Sequence, residues 1–291
     1  MTTISTAPQR GVLAAFAFLL VSMMLSAQAL ALEFDDGGLS YDVINATDVE
    51  MTGRALGNTD ADIVIPDTAV DGTTTYSVKT IGYEAFMYND LNSVTISDSV
   101  TTIGEHAFKG NDLNSVTIPN SVKSIGKFAF EDAGLTSVTI GESVETIGYQ
   151  AFVTNSLESL TIPDSVKTIG ELAFAYNSLT SVTIGNSVTS IGQFAFAANA
   201  LTSAAFLGNF RTFSLDMFIL NATLETITYA QGASGWDNPQ RIFTLDIGQT
   251  ESVTATQAAP AATPVPTSPL WLLGMMATLL SLVAVRKLRK A

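Results

Sequence analysis

Residues Ser115–Phe130 read SVTIPNSVKSIGKFAF, and the chain repeats that phrase on either side. SVTISDSVTTIGEHAF (93–108) precedes it, and SVTIGESVETIGYQAF (137–152) and SLTIPDSVKTIGELAF (159–174) follow. Aligned on Ile-Gly, the copies give Ile81-Gly82, Ile103-Gly104, Ile125-Gly126, Ile147-Gly148, Ile169-Gly170 and Ile191-Gly192, each 22 residues after the last. Phe86, Phe108, Phe130, Phe152, Phe174 and Phe196 keep the same period. So do the alanines before them and a column of leucines from Leu91 to Leu201. A period of this size, held without slippage, means a solenoid whose rungs bury their apolar faces only by stacking.

Within one rung, Val116 and Ile118 alternate with Ser115 and Thr117, a strand with Val and Ile inward. Val122, Ile125, Ala129 and Phe130 fall at i, i+3, i+7 and i+8, which predicts a short helical or 3₁₀ segment. Pro119-Asn120 supplies the turn between them. The expected fold class is therefore an α/β solenoid. The glycine column signals either a positive φ or a close approach of backbones. The column Asn89, Asn111, Asn155, Asn177 and Asn199 is expected to satisfy backbone groups at the turn into the next strand; Ala133 interrupts it, so no single Asn is indispensable. A worn rung follows Leu201, in which Phe213, Phe218 and Asn221 keep register and Leu224 slips by one.

The pattern LxxVxIPxSVxxIGxxAFxxNxL, with a GLSYDV entry (38–43) and a GW…N…IF exit (235–243), resembles the BspA-like leucine-rich repeat family over roughly residues 38–247. The resemblance implies a curved, right-handed solenoid with short parallel strands on the concave face and short helical or 3₁₀ segments on the convex face. It also implies a surface-exposed binding or adhesion protein without catalytic residues.

The two ends read as addresses. Arg10 followed by the apolar Gly11–Leu25 and the small-x-small Ala29-Leu30-Ala31 reads as a signal peptide over residues 1–31, with a retained membrane anchor as the alternative. Residues 32–80, with a partial rung in IVIPD (63–67), form an expected N-terminal cap to the array at 81–226, and residues 227–252 the C-terminal cap. An Ala/Pro/Thr linker over 253–269 leads to an apolar run, Leu270–Val285, followed by Arg286, Lys287, Arg289 and Lys290. Residues 270–291 thus read as a transmembrane helix with a basic tail. The arrangement resembles the C-terminal sorting signals handled by exosortase-type transpeptidases in Gram-negative bacteria; the alternative is a plain single-span anchor. Either way the body is expected outside the cytoplasmic membrane, on the cell surface or in the extracellular matrix.

Between the termini, 8 basic residues face 27 acidic ones, a balance that repels phosphate backbones and argues against nucleic-acid partners. The chain has no cysteine and a single histidine, which excludes disulfide frameworks and thiolate metal sites. His106 occupies a variable position held elsewhere by Glu84, Phe128, Gln150, Leu172 and Phe194, so nothing in the repeat asks for a base there. No catalytic residue, cofactor site or metal site is assigned. Carboxylates are the remaining acid–base candidates; Glu142 and Asp164 are the adjacent acids of the turn column Asp98, Asn120, Glu142, Asp164 and Asn186. A lone exposed pair offers too few oxygens for calcium. Lys123, Glu145 and Lys167 alternate in sign on successive rungs, a pattern suited to fixing register.

The candidate binding face is the double column of outward hydroxyls: Ser93, Thr95, Ser115, Thr117, Ser137, Thr139, Ser159, Thr161, Ser181 and Thr183. It reads as a plain solvated strand surface, as a platform for an extracellular protein or glycan, or, by analogy with threonine ladders, as an ice-binding plane. No aromatic lies on these columns to stack on a sugar, and a curved face suits ice poorly. The functional expectation is a non-enzymatic adhesion or binding protein, with a passive spacer or matrix component as the alternative.

Overall fold

The computed structural model describes residues 32–208, 215–224 and 226–229. The expected signal peptide, the linker, the C-terminal apolar segment and all but the first residues of the expected C-terminal cap lie outside the described residues. Among the described residues, no helix is long and apolar enough to cross a membrane.

The chain is a β-solenoid with parallel strands. It opens with β1 (Glu33–Asp36), β2 (Leu39–Val43), β3 (Asp48–Arg54), β4 (Asp62–Val64), β5 (Thr68–Asp71) and β6 (Thr74–Ile81). β1, β2 and β3 pair antiparallel in order, β3 lies parallel to β6, and β5 flanks β6 as an antiparallel hairpin. From β6 onward each rung contributes twice. Its Ser-Val-Thr segment forms β7 (Ser93–Thr95), β9 (Ser115–Thr117), β11 (Ser137–Thr139), β13 (Ser159–Ile162), β15 (Ser181–Ile184) and β17 (Ser203–Phe206), ending at β18 (Thr226–Tyr229). Its Ile-Gly approach forms two-residue strands: β8 (Thr102–Ile103), β10 (Ser124–Ile125), β12 (Thr146–Ile147), β14 (Thr168–Ile169) and β16 (Ser190–Ile191).

The short strands add in parallel to β6 as one continuous sheet, β6-β8-β10-β12-β14-β16. Equivalent residues pair directly, as in Ile103↔Ile125↔Ile147↔Ile169, so every sequence column becomes a spatial column. β4 pairs in parallel with β7, which makes IVIPD a rung that precedes the regular repeat. The slip at Leu224 also appears: β18 pairs with β17 through Ser203↔Thr226, a step of 23 instead of 22.

The expected helical face is not there. The stretch from Val122 to Phe130 contains a β-turn closed by Val122 N–H to Pro119 O, the two-residue β10, and a tight corner. A helix would send the Phe130 N–H back to residue 126; instead it donates to Ala151 O of the next rung at 2.8 Å. Phe128 N–H goes to Tyr149 O and Asp132 N–H to Val153 O, so this side of the rung also bonds to its neighbour. Two residues per corner take left-handed backbone, for example Phe128 (φ 56) with Asp132 (φ 53), and Leu172 (φ 57) with Tyr176 (φ 57). Neither a helix nor a 3₁₀ turn contains such residues. The i, i+3, i+7, i+8 spacing reports which residues face the core, and a chain turning corners around a core repeats it. The one 3₁₀ helix among the described residues is Leu215–Phe218, in the worn rung.

Each inward column packs on itself. Phe86, Phe108, Phe130, Phe152, Phe174, Phe196 and Phe218 are fully buried and stack in series, with ring centroids 5.1–5.8 Å apart. Val122, Ile125, Ala129 and their equivalents complete a single core that runs the length of the array. The asparagines act as expected. Asn155 Oδ1 accepts Leu135 N–H at 2.9 Å while its Nδ2 donates to Phe130 O and Phe152 O, tying two rungs together. Asn111, Asn177, Asn199 and Asn221 repeat the clamp. Where Ala133 stands in that column, its own carbonyl accepts the Leu113 N–H instead.

Candidate functional site

The hydroxyl columns occupy the outer side of the Ser-Val-Thr strands. Alternation sends Val116, Ile118, Leu160, Ile162, Val182 and Ile184 inward to burial. It leaves Ser93, Thr95, Ser115, Thr117, Ser137, Thr139, Ser159, Thr161 and Ser181 exposed, with Thr183 half-buried. Register places like beside like: Ser115↔Ser137 with Thr117↔Thr139, and Ser159↔Ser181 with Thr161↔Thr183. The threonine column begins after Val64, which pairs with Thr95, and gives way to Ala205 beyond Thr183.

The face is not uniform. Strand pairing joins β4–β7, β9–β11 and β13–β15–β17–β18, but no pairing joins β7 to β9 or β11 to β13. Val94 and Val138, on the strands before these two breaks, are half-buried, whereas Val116 and Val182 are buried. At the first break the surface opens into a cleft of about 530 Å³ whose walls include Ser93, Thr95, Ser115 and Thr117.

The carboxylate and lysine columns do structural work. Asp164 Oδ1 accepts the Asn186 N–H at 2.8 Å and its Oδ2 accepts Asn186 Nδ2 at 2.9 Å. Asn120 Oδ1 likewise accepts the Glu142 N–H of the next rung. Asn120 and Asp164 thus cap the turns of the rungs that follow them, and the Asp164 carboxylate is engaged by Asn186. Lys167 Nζ donates to Glu145 Oε2 at 2.6 Å, and this bond, with the lysine's charge, holds the Glu145 carboxyl below the usual carboxylate range. A depressed acid stabilises the fold above its unfolded pKa and loses that contribution as pH falls through its folded value; here both partners are exposed, so salt screens the effect.

His106 is set into a ladder that the columns did not reveal. Its ring stacks on Phe128 with centroids 4.6 Å apart and planes 4° apart, and Tyr83 meets its edge. Phe128 in turn meets Tyr149, and Lys109, paired with Glu131 at 2.7 Å, lies over its face. Further along the same corner, Leu172, Tyr176, Phe194 and Ile219 pack on Val153, Ala175 and Ala197 as a second small apolar cluster. Tyr83 and Tyr88 are 63% and 57% exposed at its start. This partly apolar strip occupies the variable positions of the repeat, where no period advertises it; its signal was the recurrence of aromatic residues at otherwise unconserved spacing within the chain. The His106 ring has Glu105 Oε1 3.6 Å from its Nε2, and among the described residues its buried Nδ1 has no hydrogen-bond partner. Among the described residues, no group of three or more His, Cys, Asp or Glu is placed to hold a metal.

The rungs that build these columns match a known repeat family. Residues 79–156 and 123–238 match the BspA type leucine rich repeat region, in six copies. The chain belongs to that family. Among solved structures, this BspA-type chain is similar to a leucine rich cell surface protein from Faecalibacterium prausnitzii A2-165, at 31% identity and a TM-score of 0.60. That match covers 68% of this chain and 54% of the other, so the chain spans about half the length of that relative. It is also similar to the T. pallidum leucine rich repeat protein TpLRR, at 22% identity, 60% and 86% coverage and a TM-score of 0.45. The pneumococcal vaccine antigen PcpA matches at 16% identity over 69% and 82% of the two chains, with a TM-score of 0.40. A comparison with curated proteins returns no match.

Proposed function

We propose that this BspA-type chain is a non-enzymatic, surface-displayed contact protein that binds an extracellular protein or glycan through its hydroxyl face. The observation that carries the reading is the double column from Ser93 to Thr183, solvent-facing but for the half-buried Thr183 and in register across the paired strands. A regular array offers many equivalent weak contacts, which gain strength by acting together. The F. prausnitzii relative, itself described as a cell surface protein, supports display at the surface. In the same reading residues 1–31 direct export, the segments at 32–80 and 227–252 cap the array, and residues 253–291 tether the chain to the membrane, before or instead of C-terminal processing. The acidic body repels anionic lipid and nucleic acid, which leaves the tether as the membrane contact.

The test replaces Thr117, Thr139 and Thr161 together by arginine in the full chain and measures attachment to arrayed glycans and matrix proteins. These side chains are exposed, so the far-UV circular dichroism is expected to stay unchanged while attachment falls at least tenfold. Undiminished attachment overturns the hydroxyl face as the binding face, and a parent chain that attaches to nothing on the array leaves it as a passive spacer.

A further inference from the structure

The break between β7 and β9 gives the hydroxyl face one cleft with a chemistry of its own. We propose that this cleft is a binding site for a neutral saccharide unit, a hexose or short oligosaccharide carried on a larger glycan. The inference rests on the hydroxyl face being a binding face, and it names the place and the ligand class.

Four observations converge. The cleft's volume of about 530 Å³ suits a small ligand, since such sites run from about 300 to 1,000 Å³. It is bounded by two side-chain amides, Asn92 and Asn114, and one carboxylate, Asp98, beside the four face hydroxyls. Planar two-atom groups of this kind match adjacent hydroxyls on a sugar ring, a carboxylate accepting two O–H bonds and an amide donating one and accepting another. Val94, half-buried at the break, supplies apolar surface for the C–H face of a ring. No lysine, arginine or histidine lines the cleft, and Asp98 is its single charge, so sulfated, phosphorylated or carboxylated ligands are disfavoured.

A peptide added as a β-strand is the competing occupant, and the spacing argues against it. An inserted strand must separate its neighbours by about 9.6 Å, twice the ordinary interstrand distance. Cα atoms of β7 and β9 lie within 8 Å of each other. The strands have lost their pairing without parting far enough to admit a third.

The experiment titrates the full-length chain with an array of neutral di- and trisaccharides, their sulfated counterparts, and an extended Ser/Thr-rich peptide. Neutral saccharide binding is expected, and it should weaken at least tenfold both in Asn92→Ala with Asp98→Ala and in Thr117→Trp, which fills the cleft. Lys127→Trp, exposed but on another side of the rung, should bind as the parent does. Preference for the sulfated ligands or for the peptide overturns the proposal, as does equal weakening by Lys127→Trp. Absence of any saccharide binding also overturns it; if attachment to matrix proteins then still depends on Thr117, Thr139 and Thr161, the cleft inference fails while the binding face stands.

Discussion

Replacing Gly148 by alanine is expected to destabilise the array by about 3 kcal/mol, and replacing it by valine to prevent the central rungs from stacking. A Cβ at Gly148 meets Gly126 C at 2.6 Å, Gly126 O at 2.7 Å and Lys127 N at 2.7 Å, all of them backbone. The clash cannot be relieved by a side chain swinging away. Moving the rung instead strains Gly148 N–H to Ile125 O and Gly170 N–H to Ile147 O, the bonds that join successive rungs at 2.9 and 2.8 Å. Gly104, Gly126, Gly170 and Gly192 of the same column sit against the backbone of the preceding rung in the same way, which settles the role of the column as close approach. Gly72 is the control: it has φ +58 and open space around its Cβ position, so Gly72→Ala costs about 1 kcal/mol of backbone strain. Urea denaturation of the three variants checks the order. A Gly148→Ala protein no less stable than Gly72→Ala would show that the rungs are not held at backbone contact.

The second large effect is expected at Phe152. Its ring is fully buried and lies between Phe130 and Phe174 at 5.1 and 5.2 Å, with interplanar angles of 5° and 4°. Phe152→Ala removes a ring stacked on both faces, and the neighbours cannot close the gap without shortening the rung spacing that the backbone ladder sets. The expected loss is about 4 kcal/mol, against about 1.5 kcal/mol for Phe152→Leu, which keeps most of the volume. A thermal or urea midpoint equal for the two variants would mean that the phenylalanine column is not close-packed.

Much of this architecture is written in the repeat itself. The period, the inward Val and Ile of the strands, the stacked phenylalanines and the asparagine clamp all follow from residues that recur every 22 positions. The helical face does not survive because hydrophobic spacing records which residues point inward and not the path the backbone takes between them. Two-residue strands such as Ser124–Ile125 are too short for alternation to register. The left-handed corners are also hidden: Glu84, His106, Phe128, Gln150, Leu172 and Phe194 all have φ between 53° and 60°, and none is the glycine or asparagine that normally marks such a backbone. Stacking over-determines the conformation, since each of these residues donates its N–H to the following rung or turns beside one that does.

The functional surface divides the same way. The ten hydroxyl positions could be named from the sequence because alternation and period together place them. The cleft could not, because Ser93–Thr95 and Ser115–Thr117 are identical in sequence and the break in pairing between them is a property of the backbone, where Asn114 takes φ 56. The His106–Phe128–Tyr149 ladder escaped because its members sit at positions that change from rung to rung.

The claim that the rungs are interchangeable building units is tested most directly by deleting residues 148–169 from the full chain, which joins Ile147 to Gly170 in register. The account predicts a protein with an unchanged far-UV circular dichroism shape, a lower unfolding midpoint, and attachment to any surface that the parent chain binds, because each rung contacts only its neighbours. A folded protein that has lost attachment altogether, or a chain that no longer folds, would contradict it.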